Sequence, residues 1–338
     1  MAAGLLEVTG TLDYSQYWPT ATSDADTTKV QIAVTADSFR FRSAPGKSFR
    51  VTHAFENATV IGTTRKAPIS DKGIVTVRLQ GIDAPELHYR PQAALKRKDQ
   101  SDMQHEIYLK WNLDYRQYFG ETATVALVKR LEKFAAGPLR CKVLSAIDEP
   151  NEAFDTYGRL VGDIVVTKGQ KKLNINQWLL SEGWVVPTFY SSMSNAEILK
   201  LIDLATKARN NEKGLWNRYV SRVLQFEWDL VFRGKGAAID DAADKDAVTL
   251  PKLFRRQAAY EVNKRARMVA GSFVNYLRKK RDEVHELNAF LSQGPQAAPV
   301  RNFDEFLSGN AFTAAPEALV FREKQSDLKG PGGQPVHW

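Results

Sequence analysis

Val77-Arg78-Leu79-Gln80-Gly81-Ile82-Asp83-Ala84-Pro85-Glu86 is the stretch on which the reading of this chain turns. It begins as a strand. Ile74, Val75, Val77, Leu79 and Ile82 form a β-branched and apolar run, and Pro85 closes it. Its charges are unusual for a buried strand, because an arginine sits inside the run and two carboxylates flank the proline. Arg78 and Asp83 are five residues apart, so on an ideal strand they point to opposite faces. A bulge near Gly81 is the way to bring them to one side. By itself the stretch reads equally as a strand ending in an Asp-Ala-Pro-Glu turn, since Asp and Pro favour turns on their own account.

Two other stretches bear on that choice. Ala36-Asp37-Ser38-Phe39 reads as an acidic turn between two strands, and Asp155-Thr156-Tyr157-Gly158-Arg159 as a turn that sets an arginine at the start of a strand. Together the three pieces supply carboxylates at two strand ends (Asp37, Asp83), a third beyond a proline (Glu86), and two arginines (Arg78, Arg159). That set suits phosphoryl transfer. A hard cation takes carboxylate and carbonyl oxygens, a phosphorane is held best by planar, permanently charged donors, and a water nucleophile needs a carboxylate base.

Composition narrows the alternatives. A chain of 338 residues holds two or three domains. A net charge of +8 favours anionic partners, nucleic acid or an acidic membrane surface. Cys141 is the single cysteine, which excludes an intramolecular disulfide and a cysteine-based zinc site. The five histidines lack metal-ligand spacing, so a metal here would be a hard cation on oxygen ligands. No apolar run approaches the roughly 18–20 residues of a membrane span, and no basic segment followed by an apolar core opens the chain. The expectation is a cytoplasmic protein without membrane association.

Elsewhere the patterning alternates between strand and helix. Strands are predicted at Leu5–Tyr14, Lys29–Thr35, Asp37–Arg42, Leu139–Ala146 and Leu160–Val166, and helices at Gly120–Ala135, Ile175–Glu182 and Ala196–Arg209. Beyond Asn217 the pattern turns helical, with Val220–Phe232 a candidate and a long run over Pro251–Gln293 broken at Gly271. That run carries ten basic against four acidic residues. Its cluster Arg278-Lys279-Lys280-Arg281 is a candidate nucleic-acid contact, although such runs are commonly solvated helix faces. Gly330–Trp338 reads as a mobile tail.

Arg78-Leu79-Gln80-Gly81-Ile82-Asp83-Ala84-Pro85-Glu86, Asp155-Thr156-Tyr157-Gly158-Arg159, Asn174-Ile175-Asn176, Gly183-Trp184 and Gly214-Leu215-Trp216, in that order, resemble the staphylococcal nuclease (thermonuclease) family over about residues 29–217. The resemblance implies an α+β protein: an OB-fold five-stranded β-barrel with packed helices, followed here by a mainly α-helical C-terminal region. The domain reading is an N-terminal extension at 1–28, the nuclease-like domain at 29–217 with insertions near 43–73 and 88–118, and a basic helical region with a flexible tail at 218–338. It implies a Ca²⁺-dependent nuclease that hydrolyses DNA or RNA and leaves 3′-phosphate ends. Asp37, Asp83 and the carbonyl of Ala84 match its calcium ligands, Glu86 its general base, and Arg78 and Arg159 its phosphate-holding arginines. Tyr157 matches a phosphate-contacting tyrosine, and Phe189 and Tyr190 stand where the family has substrate tyrosines. Thr35 departs from the usual Asp-Gly-Asp-Thr turn. The alternative is a catalytically weak domain of this fold that serves as a nucleic-acid- or protein-binding module, the C-terminal helices offering a surface for a protein partner or a second copy.

Overall fold

The computed structural model describes residues 4–17, 23–32, 37–43, 47–91, 95–232, 239, 243–324 and 326–338. Five strands close a barrel: β1 (Leu5–Leu12), β2 (Thr27–Gln31), β3 (Ile74–Leu79), β4 (Leu139–Ala146) and β5 (Leu160–Lys168). β1 pairs antiparallel with β2, and β2 with β3. β3 runs parallel to β5, which pairs antiparallel with β4, and β4 closes the ring along all eight residues of β1. Alternation explains the wall. In β3, β4 and β5 every second residue is buried, and Val75, Val77, Leu79, Cys141, Val143, Ile164 and Val166 line the interior. This is the OB-type barrel that the resemblance implies.

The barrel begins earlier than expected. Residues 1–28 contain β1, which is a barrel strand and not an extension, because Leu6, Val8 and Leu12 are buried and the strand contacts three neighbours. The insertion between β2 and β3 builds its own small structure: a hairpin of Phe39–Ser43 and Lys47–Arg50, a helical turn at Thr52–Phe55, and paired strands at Thr59–Ile61 and Arg65–Lys66. The tail is docked rather than mobile. Asp327–Lys329 pairs with Thr59–Ile61, Leu328 is buried, and Trp338 stacks on Phe41 at 4.4 Å between ring centroids.

By internal contacts the chain divides into two units, one comprising residues up to Ile82, Ala126–Leu179 and Glu323–Trp338, the other Asp83–Val125 and Leu180–Arg322. The expected boundary at 217 is therefore not where the chain divides. The physical reason is a shared core. Tyr108 and Tyr115 of the 88–118 insertion pack with Phe254, Val262 and Ala266, and with Phe226 and Trp228. The helix Asp102–Trp111 and the helix Pro251–Arg265 thus belong to one unit. Arg265 adds to this core, its guanidinium 4.1 Å from the Trp111 ring and 3.7 Å from that of Trp228.

The second unit also holds the helix Asn195–Asn210, opened by a Ser194–Glu197 capping box. The basic run forms the helices Pro251–Arg265, Phe273–Lys280 and Leu287–Gln293, with the break at Gly271 as expected. Between them Glu283–Glu286 forms a strand, in a sheet with Phe189–Tyr190, Leu319–Phe321 and Arg301–Asn302. Val220–Phe232 is irregular, not helical, with a turn at Trp228–Asp229, and Phe226 and Trp228 pack against the aromatic core.

Candidate active site

Arg78 sits on the face of β3 opposite Val77 and Leu79, and its side chain is half-buried. Pairing sets Thr27 of β2 on one side of it and Val161 of β5 on the other. Arg159 Nη1 donates to Thr27 Oγ1 at 3.2 Å. The structure therefore brings Arg78 and Arg159 to the same residue of β2. Asp155 fixes the second arginine: its Oδ2 accepts from Arg159 Nε at 2.7 Å, and its Oδ1 accepts the backbone N–H groups of Tyr157 and Arg159, each at 2.9 Å. Tyr157 is 53% exposed, with the Arg159 guanidinium 5.6 Å from its ring. An aromatic face and a planar cation are thus open on one turn.

The acidic turn at Asp37 is solvent-facing. Asp37 is exposed and paired with Arg50 at 2.8 Å and Arg40 at 3.7 Å. Thr35 lies outside the described residues. The carboxylate beside the arginine strand is Asp26, which is buried. Its backbone carbonyl accepts the N–H of Leu79 at 2.8 Å, and its Oδ1 accepts from Thr27 Oγ1 at 3.1 Å. The signal was legible: Asp24-Ala25-Asp26-Thr27 fits the Asp-Gly-Asp-Thr turn better than the stretch around Asp37, and it directly precedes the strand that pairs with Arg78.

Gly81 adopts φ +76°, the left-handed turn that ends β3 ahead of Ile82–Asp83. Asp83, Ala84 and Glu86 are then all buried, the side chain of Asp83 with 3% of its surface exposed and that of Glu86 with 8%. Gln117, at the far end of the insertion, clamps the Glu86 backbone. Its side chain accepts the Glu86 N–H at 3.1 Å, its own N–H donates to the Glu86 carbonyl at 2.6 Å, and its amide also donates to Thr249 O at 3.1 Å. Gly120 has to be glycine here, since a Cβ would stand 2.5 Å from the Glu86 carbonyl oxygen.

The residue that sequence reasoning missed is Arg255, on the helix Pro251–Arg265. Its Nη1 and Nη2 donate to Asp83 Oδ1 and Oδ2 at 3.0 and 2.8 Å, and Nη1 also donates to Glu86 Oε1. Burial alone would lower the pKa of this guanidinium. Asp83 and Glu86 outweigh that and hold it well above the ordinary arginine value, so the group is a permanent cation. Next to it Arg256 makes a bidentate pair with Asp282 at 2.6 and 2.7 Å. Lys252 lies 3.6 Å from the same carboxylate, its pKa pushed down to about 8 by burial, against the pull of Asp282. No local pattern links Arg255 to Glu86, since the two are 169 residues apart.

The remaining expected residues divide. Phe189 is fully buried in a strand beside Val320, which withdraws it from base stacking. Tyr190 is part-exposed, its ring centroid 6.1 Å from that of Phe321. In the basic run, Arg278 pairs with Asp304 at 3.1 Å and Lys280 lies over the Tyr276 ring at 4.8 Å, while Lys279 and Arg281 are exposed. No cluster of three or more His, Cys, Asp or Glu side chains suited to a metal occurs among the described residues. No helix among them is long and apolar enough to cross a membrane.

A closed OB-type barrel whose third strand carries an arginine and runs into an acidic, proline-containing turn is the arrangement that the family resemblance implies. Residues 76–218 match the family model described as Staphylococcal nuclease homologue. Over 187 residues it is 26% identical to Endonuclease YhcR of Bacillus subtilis (strain 168), a match that takes in 54% of this chain. It spans only 13% of that relative's length.

Proposed function

We propose that this chain is a phosphodiesterase acting on DNA or RNA. The observation that carries the proposal is the convergence of Arg78 and Arg159 on Thr27, with Asp155 fixing Arg159 and Tyr157 open beside it. Two guanidinium groups supply planar, permanently charged donors for phosphate oxygens and for the charge that grows on them as water adds. Glu86 is the proposed acceptor of the proton from that water. Tyr157 and Tyr190 are the proposed nucleotide contacts, and the exposed Lys279 and Arg281 add charge for a polyanion.

The resemblance also implies one calcium ion on Asp37, Asp83 and the Ala84 carbonyl. The side chains found here do not fit that ion. Both oxygens of Asp83 already accept from Arg255, and the same guanidinium reaches Glu86. The proposed chemistry accordingly runs through the protein's own residues. Arg255 also gives the observation that favours a second reading, a nucleic-acid-binding module whose acidic residues are neutralised.

The experiment is cleavage of single- and double-stranded DNA and of RNA by the full chain, with calcium and with chelator, followed by end analysis. The expected result is hydrolysis that leaves 3′-phosphates and falls at least a hundredfold in Glu86→Gln. Equal activity in Glu86→Gln, or binding without cleavage in every condition, would favour the binding module.

A further inference from the structure

We infer that Arg255 is the resident cation of the Asp83–Glu86 pair, standing where the family resemblance places a metal, so that the chain recruits no divalent ion through Asp83. The inference rests on the reading of Asp83 and Glu86 as site residues given above.

The first ground is geometry. The guanidinium meets the Asp83 carboxylate end-on, Nη1 and Nη2 to its two oxygens at 3.0 and 2.8 Å, and the same Nη1 reaches Glu86. Fork-to-fork pairing of this kind uses the oxygens that a hard cation would need. The second ground is charge. Among the described residues, Asp83, Glu86 and Asp282 pair with Arg255, Arg256 and Lys252, three negative groups with three positive. A divalent ion added there would leave two charges uncompensated at low dielectric.

The third ground separates a fixed cation from a removable plug. Arg255 is carried by a helix anchored in the core, because Leu253, Phe254, Ala259 and Val262 are buried and belong to three hydrophobic clusters. Just beyond it Arg256 is locked to Asp282 and Gln257 donates to the Leu224 carbonyl. The backbone that carries Arg255 is therefore placed by the core, and the two carboxylates hold its guanidinium.

The test is calcium titration of the full chain by calorimetry and by thermal unfolding, on wild type, Asp83→Asn and Arg255→Ala. The wild type and Asp83→Asn should respond to calcium alike, with no saturable heat and no shift of Tm. Arg255→Ala should bind calcium at least tenfold more tightly than wild type and gain Tm as calcium is added. Calcium binding by the wild type that Asp83→Asn weakens tenfold or more overturns the inference. So does an Arg255→Ala protein that folds and binds no calcium. Where Arg255→Ala does not fold, the wild-type and Asp83→Asn comparison decides alone. Nuclease assays run in parallel keep the two readings apart. Hydrolysis that requires calcium through Asp83 overturns this inference and leaves the proposed function standing. Absence of hydrolysis in every condition overturns the function, and the titrations still judge Arg255.

Discussion

Asn176 shows what one side chain does for the barrel. It is fully buried, accepts the Ile164 N–H at 3.2 Å, and donates to the carbonyls of Gln80 and Gly162 at 3.0 and 3.3 Å. It thus joins β5 to the end of β3, the strand that carries Arg78. Asn176→Ala would strand three buried backbone groups and should cost about 3 kcal/mol, read by urea unfolding. An unchanged midpoint would show that the backbone finds other partners. Asp155 works through Arg159. Asp155→Ala should lower kcat at least tenfold with a smaller change in KM, because the arginine remains but is no longer fixed. Equal kcat would remove Asp155 from the positioning role. Arg255→Ala leaves two buried carboxylates without their guanidinium, an effect of about 3–5 kcal/mol for a broken buried pair.

At the scale of elements, the turn after β3 depends on what is laid against it. Glu86 is held by Gln117, and the helix Gly120–Phe134 starts where its first residue touches the Glu86 carbonyl. Gly120→Val should force that contact apart, lower Tm by several degrees and reduce hydrolysis together with stability. Full stability in the variant would mean that the helix start shifts at no cost. This geometry also answers what the His88–Tyr118 insertion does within its unit. Tyr89 and Tyr115 exchange backbone hydrogen bonds at 2.7 and 2.8 Å, which zips its two ends together. Its middle is built into an aromatic core with Phe254, and so with the helix that delivers Arg255. The insertion is a structural support for that helix.

At the scale of the molecule, the chain's end completes its first unit. Ser326 donates to the Phe154 carbonyl at 2.7 Å, Leu328 is buried, and Trp338 covers Phe41. Deleting residues 326–338 should destabilise the protein by about 3 kcal/mol or more, from lost apolar burial, and chemical denaturation would detect it. The buried charge cluster should appear in the pH dependence. Lys252 titrates near 8 when folded and near its ordinary value of 10.5 when unfolded. Between those values the unfolded chain binds more protons, so stability should rise as pH increases from about 8 to 10. Below 8 the cost of burying the charged ammonium is fully present, and above 10.5 it is gone. Lys252→Met should flatten that rise, and a slope identical to wild type would assign it to other groups.

Local chemistry made much of this legible from the residues alone. Alternation marked β1, β3, β4 and β5, helical spacing marked Gly120–Phe134 and Asn195–Asn210, and the motifs around Arg78, Glu86 and Arg159 carried the family resemblance. Each depends on neighbours within one element or one turn. The buried position of Asp26 beside the arginine strand was also written locally, since Asp24-Ala25-Asp26-Thr27 leads directly into β2. What the residues could not disclose was long-range. That β1 closes the barrel against β4, that the tail returns to Thr59–Ile61, and that Arg255 meets Asp83 and Glu86 are pairings across more than a hundred residues. A basic residue on a helix has the same local pattern whether it faces water or a buried carboxylate. Only the packing of Phe254 and Val262 into the aromatic core turns Arg255 inward, and so only tertiary structure decides which cation the acidic turn holds.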